Sequence, residues 1–205
     1  MNKILKCFKS IKKEVLFNLL LLLPLGFMLI TKISVSLLGD LSEYYKIIDI
    51  MLMFLTSIFI SLVYGIKILD DNNYNWAVKA FGISVLYTFL MFLLMSFSDV
   101  GIIRLLLTSI INGFTTIFII VFSTYFSVNK EHYLKLISLS SILVLSGIVP
   151  FLAWNVKQFY LAFLPTYWMG KFFNGGYLPY AIWSIIISII WIAVFKMIYN
   201  VKSKL

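Results

Sequence analysis

The sequence predicts an all-α membrane protein of six transmembrane helices, with an N-terminal amphipathic interfacial helix and a re-entrant or extracellular helical segment before the last span. Three observations predict it. Of 205 residues, 62% are hydrophobic and only 12% are charged, against about 25% charged in a soluble domain, and the mean hydropathy is +1.02. Six apolar runs reach the roughly 20 residues that a helix needs to cross a hydrocarbon core of about 30 Å. The cations gather in alternate connections between those runs, as the positive-inside rule requires. The net charge of +9 therefore reads as membrane orientation and not as a nucleic-acid surface. The lone Cys7 excludes an intramolecular disulfide and a cysteine-built metal site.

The chain opens with "MNKILKCFKSIKKEVLF". Ile4, Phe8, Ile11 and Val15 recur on one helical face and Lys6, Lys9 and Lys13 on another, which describes a helix lying on an anionic leaflet over residues 1–14. A plain basic anchor would read the same way. Residues 15–205 form one transmembrane domain, with spans near Val15 to Leu38, Ile47 to Leu69, Trp76 to Phe97, Ile102 to Val128, Leu134 to Trp154 and Leu178 to Tyr199. The first run is too long for a signal-peptide core and lacks a small-residue cleavage site, so it is expected to be retained. With the N-terminus inside, twelve of the 17 cations fall on the cytoplasmic side and five outside, which puts both termini in the cytoplasm.

Two connections are unlike simple turns. "KILDDNNYNWAVK", Lys67 to Lys79, is a polar island with two adjacent carboxylates, three asparagines, a tyrosine and a tryptophan. Between the fifth and sixth spans, "NVKQFYLAFLPTYWMGKFFNGGYLP" is too apolar for a solvated loop and too broken by Pro165, Gly170, Gly175, Gly176 and Pro179 to span. It is best placed as short helices dipping into the outer leaflet or capping the bundle, with Tyr160, Tyr167, Trp168 and Tyr177 at headgroup depth. An aromatic belt alone would also explain its composition.

No phosphate-binding GxxxxGK[ST], HExxH or GxSxG occurs, so the chain is not expected to be an enzyme or to hydrolyse nucleotide by itself. His132 beside Glu131 lacks a third ligand and reads as a solvated loop histidine, so neither metal nor cofactor is expected in this chain. Asp49 and Arg104 fall near span ends, where they would mark interfaces. In the fourth span Thr108, Asn112, Thr115, Thr116 and Ser123 fall close to one stripe, suited either to helix packing or to lining a solute pathway. So few buried charges argue against proton- or ion-coupled transport, which needs ionisable groups at membrane depth.

The six-span size, amphipathic N-terminus, acidic and amide-rich loop after the second span and aromatic segment before the last together resemble the permease subunits of type-2 ATP-binding-cassette exporters, closest to the small systems for drug or bacteriocin export. In that family an acidic pair commonly ends the second span, followed by a short coupling helix, and "LDDNNYNWAVKAFGIS", Leu69 to Ser84, sits where that element belongs. "FLPTYWMGKFF", Phe163 to Phe173, resembles the family's extracellular Pro-aromatic-Trp segment, through Pro165, Tyr167 and Trp168. The family's Glu-rich, Gly-containing coupling sequence is replaced here by "DDNNYNW".

The resemblance implies that Asp70, Asp71, Asn72, Asn73, Tyr74 and Trp76 dock into a separate ATPase subunit, which carries ATP and Mg. It further implies a bacterial plasma-membrane location, a second permease copy or sister permease as partner, and export of an amphipathic drug, peptide or lipid-like molecule. Capping of the next helix by Asp70 and Asn72, with Trp76 as a belt residue, is the plainer alternative for the island. Two other functions remain open: a substrate-capturing subunit of a vitamin or metal importer, and an immunity or accessory membrane protein. The bulky first span, "LFNLLLLLPLGFMLI", weighs against the first of these because such subunits seat early helices through small-residue faces.

Overall fold

The computed structural model describes residues 22–37, 44–71, 73, 75–152 and 160–202. The expected interfacial helix over residues 1–14 and the start of the first span lie outside them. The described residues form eight helices: α1 Leu22–Leu37, α2 Tyr45–Asp71, α3 Asn75–Met95, α4 Ile102–Phe126, α5 Lys130–Leu139, α6 Ser141–Leu152, α7 Pro165–Gly175 and α8 Leu178–Lys202. Four of them, α2, α3, α4 and α8, are long and apolar enough to cross a membrane, and α1 is a shorter apolar helix. At 1.5 Å per residue, the 27 residues of α2 extend about 40 Å.

The run expected as one fifth span is divided into α5 and α6, of 10 and 12 residues. The division falls at Ser140, whose backbone N–H is shared between the carbonyls of Leu136 and Ile137. The hydroxyls of Ser138 and Ser140 donate to the carbonyls of Lys135 and Leu136, so three polar groups compete for one turn of helix. Hydropathy is continuous across this point, which is why the sequence reads as a single span. The punctuation around α7 was more legible. Pro165 stands at its first position, and Gly176 closes it in the left-handed conformation (φ 74°) with its N–H donating to Phe172 O.

Polarity is arranged inside out. Thr56, Ser57, Ser61, Ser84, Thr88, Asn112 and Thr116 are fully buried, whereas Leu94, Ile103, Ile190 and Met197 are exposed. A membrane protein needs this pattern, because lipid tails solvate leucine and isoleucine and polar groups must find partners within the bundle. The most hydropathic stretches of α2 and α4 are 61% and 67% buried, against 33% for α3 and 22% for α8, so α2 and α4 form the centre and α8 the flank.

Side-chain contacts mark the two ends of the bundle. At one end Asp70 of α2 pairs with Lys130 at the start of α5. At the other, Asp49 near the start of α2 accepts hydrogen bonds from Phe97 N, Ser98 N and Ser98 Oγ just past α3. Asp49 is thus fully buried, and not at a water-facing interface as its sequence position suggests. The turn from α7 into α8 packs over Arg104 at that same second end. Helices α6 and α7 lie side by side with matched direction, Ser146 against Thr166 and Gly147 against Gly170. A Cβ at Gly170 would overlap the Gly147 carbonyl, so this crossing is backbone on backbone.

Asn73 at the first end and Tyr177 at the second are both exposed. Single cysteines at these positions in a Cys7→Ser background are expected to react with an impermeant maleimide from opposite faces of the membrane. Reaction of both from one face contradicts the arrangement.

Candidate functional site

Three groups of residues singled out by the sequence can be followed in the structure. The first is the polar island. Only residues 72–74 separate α2 from α3, and Trp76 lies in the first turn of α3. Among the described residues no separate coupling helix follows the acidic pair, and α3 begins at Asn75. Asn72 and Tyr74 lie outside the described residues. Asn73 is exposed, and its side-chain oxygen accepts from Asn75 N at 3.0 Å, as at a helix start. Asn73 thus contributes a cap at this start, and Asp70 pairs with Lys130.

Trp76 is half-buried and held on several sides. Its Nε1–H donates to Asp71 Oδ2 at 3.0 Å, and its ring lies 6.0 Å from that of Tyr64. Lys79 Nζ stands 4.3 Å and Lys67 Nζ 4.8 Å from the ring centroid, within the range of cation–π attraction. Trp76 thus braces the α2–α3 turn, and Asp71 and Asn73 remain its exposed polar rim.

The adjacent turn is built by α4 and α5. Asn129 caps α5, its side-chain oxygen accepting from His132 N at 2.8 Å. His132 belongs to the first helical turn and not to a loop, and its Nδ1 accepts from Val128 N at 3.4 Å. Tyr133, fully buried, donates its hydroxyl to Ser61 O at 2.6 Å. A Cβ at Gly65 would overlap that phenol, so the glycine in α2 is what admits it. The sequence reading missed this clasp. Its signal was a lone glycine in an otherwise bulky span.

The second group is the α4 stripe, which divides in two. Asn112 and Thr116 face α2 and α3. The Asn112 amide nitrogen lies 3.0 Å from Met53 O, 3.1 Å from Thr56 Oγ1 and 2.9 Å from Thr88 Oγ1, while its side-chain oxygen accepts from Ser57 Oγ at 2.7 Å. One turn further, Thr116 Oγ1 lies 3.0 Å from Ser57 Oγ and 2.8 Å from Ser84 Oγ, and Ser61 Oγ donates to Thr116 O. Thr108 and Thr115 instead donate to their own helix, at Arg104 O and Ile111 O. Ser123 Oγ is buried and has no hydrogen-bond partner among the described residues. The partners on α2 and α3 were overlooked, although Ser57 with Ser61, Ser84 with Thr88 and Asn112 with Thr116 share one spacing of four. None of these side chains titrates near neutral pH, so the cluster can bind helices or solvate a polar solute but cannot relay charge.

The third group is the segment before the last span. Pro165 is buried, and its carbonyl accepts from Ser184 Oγ at 2.7 Å. Tyr167 is fully enclosed by protein, because α7 turns that face towards the bundle. Trp168 donates from Nε1 to Ala162 O at 2.6 Å, and its ring lies tilted 5.8 Å from that of Tyr180. Tyr160, Phe163 and Tyr177 are exposed aromatics of this segment.

These features define an all-helical membrane protein with a braced turn at one end and a hydrogen-bonded centre. Comparisons of the chain with protein-family models, with curated proteins and with solved structures give no match.

Asn112→Ala is expected to lower stability by about 1–3 kcal/mol, since Ser57 and Thr88 lose buried partners. Thr108→Val and Thr115→Val are expected to change it by less than about 0.5 kcal/mol, because each hydroxyl serves only a carbonyl of its own helix. Unfolding in mixed micelles with rising dodecyl sulfate measures the three. Equal losses would show that the stripe does not distinguish inter-helix from intra-helix bonds.

Proposed function

We propose that this chain is the permease subunit of an ATP-binding-cassette exporter, forming half of a pathway for an amphipathic substrate and powered by a separate ATPase subunit that binds ATP and Mg. One observation carries the reading: the Asp70–Lys130 pair joins the α2–α3 and α4–α5 turns into a single ledge, and α2 beneath it is bonded to both α3 and α4 through Asn112. A push on the ledge is thereby delivered to three helices at once. Nucleotide-driven closure of the ATPase would tilt that unit against α8, and a pathway between paired permeases would open outward. The weakly buried α8 leaves surface for a second copy or a sister permease.

In this reading the ledge faces the cytoplasm of a bacterial plasma membrane, as the lysine distribution requires, and both termini lie on that side. Helices α5 and α6 together make the fifth of six spans. The segment entering α7 is re-entrant, supported by the hydrogen bond from Trp191 Nε1 to Phe163 O at 2.7 Å. Trp191 lies thirteen positions along α8 from Leu178, about 20 Å below the outer end at 1.5 Å per residue. Phe163 is therefore drawn to mid-membrane depth before α7 climbs back to Gly176.

Co-purification of the tagged chain from its native membrane tests the reading. Wild type is expected to recover a P-loop ATPase. Trp76→Ala, at equal membrane abundance, should recover at least about tenfold less, a loss of about 1.4 kcal/mol or more, since the turn that presents Asp71 and Asn73 loses its brace. Asp71→Asn retains an acceptor for Trp76 Nε1 and removes the charge, so it should weaken recovery less than Trp76→Ala. A tightly held vitamin in place of an ATPase would identify a capture subunit. Recovery of neither would leave an accessory or immunity protein.

A further inference from the structure

At the end opposite the ledge, a cavity of about 450 Å³ opens between the start of α4 and the α7–α8 turn. This volume falls within the roughly 300–1,000 Å³ of small-molecule sites. Its walls include Ile103, Arg104, Leu107, Phe172, Gly176 and Leu178, and among the described residues Arg104 is the only ionisable one lining it. The guanidinium packs over the backbone of Gly176 so closely that a Cβ there would overlap it. Left-handed backbone and close approach thus both require glycine at this position.

Arg104 is half-buried, and its guanidinium makes no hydrogen bond or ion pair with any described residue. Arginine stays charged and carries five N–H donors without an acceptor, so at a partly desolvated position it calls for an anion. Around it the surface is apolar and open. Ile103 is 73% and Leu178 55% exposed, each within the first two residues of a helix long enough to cross the membrane. A fixed cation beside an apolar wall, at the point where spans meet the headgroup region, matches a molecule with an anionic head and a hydrocarbon tail.

We propose that this cavity binds an anionic phospholipid of the adjoining leaflet, with Arg104 forked onto its phosphate oxygens and an acyl chain lying along Ile103, Leu107 and Leu178. Lys171, the neighbouring cation on α7, rests 5.9 Å and 6.0 Å from the rings of Tyr167 and Tyr180 and does not line the cavity. The inference is independent of the exporter reading, because it requires only that the chain reside in a membrane.

Native mass spectrometry of the purified full chain in an uncharged detergent tests it, using phosphatidylglycerol and phosphatidylcholine with identical acyl chains, and inorganic phosphate as a third probe. Wild type should bind phosphatidylglycerol at least about tenfold more tightly than phosphatidylcholine, because both phosphates accept the fork but the choline cation neutralises the second headgroup and opposes Arg104. Arg104→Gln should reduce phosphatidylglycerol to the phosphatidylcholine level, and Lys171→Gln should leave the preference intact. Should Arg104→Gln fail to fold, Ile103→Trp fills the cavity from an exposed position and should remove the tight site without altering charge. Equal binding of the two lipids by wild type overturns the proposal. So does a preference that survives Arg104→Gln or, where that variant does not fold, Ile103→Trp, and so does displacement of the lipid by equimolar inorganic phosphate.

Discussion

The Asn112 amide is buried where three helices meet, and the need to satisfy it without water governs the rest of the bundle. Within a bilayer, apolar side chains gain little from leaving lipid for protein, so helices are held by close packing and hydrogen bonds. A buried amide left unpaired costs about 1–3 kcal/mol. Asn112 meets this requirement only with Met53 and Thr56 on α2 and Thr88 on α3 all in reach. One residue thereby sets the register of α2 and α3 against α4, and Thr116 with Ser57 and Ser84 repeats the lock one turn along. The burial of serine and threonine, and the exposure of leucine and isoleucine, follow from that.

The same constraint explains how the ends are tied to the middle. Ser61, one turn beyond Ser57, offers its hydroxyl to Thr116 O and its carbonyl to Tyr133, so the central network continues into α5 through the gap at Gly65. Lys130, three residues earlier on α5, reaches Asp70. At the far end Asp49 closes the start of α2 onto the α3–α4 connection. Helix α2 is therefore bonded to its neighbours along nearly its whole length, whereas α8 is joined at fewer polar points, such as Ser184 to Pro165 O and Trp191 to Phe163 O. An α2–α3–α4 unit tied by polar bonds, beside an α8 held mainly by aromatic packing of Phe195 on Phe118, Phe122 and Phe126, is the mechanical asymmetry that the exporter reading uses.

Hydropathy made the long helices legible, because burial in lipid demands about 20 apolar residues whatever the packing. The expected second, third, fourth and sixth runs match α2, α3, α4 and α8 within three residues at either end. It could not reveal the division at Ser140, which arises from hydroxyl competition within an unbroken apolar run. The stripe on α4 was visible as a pattern, but its two roles were not, since Asn112 and Thr108 differ only in what stands opposite them. Asp49 was misjudged for a related reason: its position near a span end implies water, and only the path of the α3–α4 connection brings Phe97 and Ser98 over it. In the island, composition signalled a special turn, while the bracing of Trp76 by Asp71, Lys67 and Lys79 depends on how abruptly α3 begins.

Asn112 couples α4 to its neighbours as a unit, and a double-mutant cycle between Asn112→Ala and Thr88→Ala measures that coupling. Unfolding free energies of wild type, the two single variants and the double variant in one bilayer-like medium supply it. The expected coupling energy is about 0.6 to 1.7 kcal/mol, the range from average to strongest measured for polar pairs within a membrane helix bundle. A coupling near zero, with the two losses simply adding, would mean that Asn112 and Thr88 act independently and that the three helices are not joined through this amide.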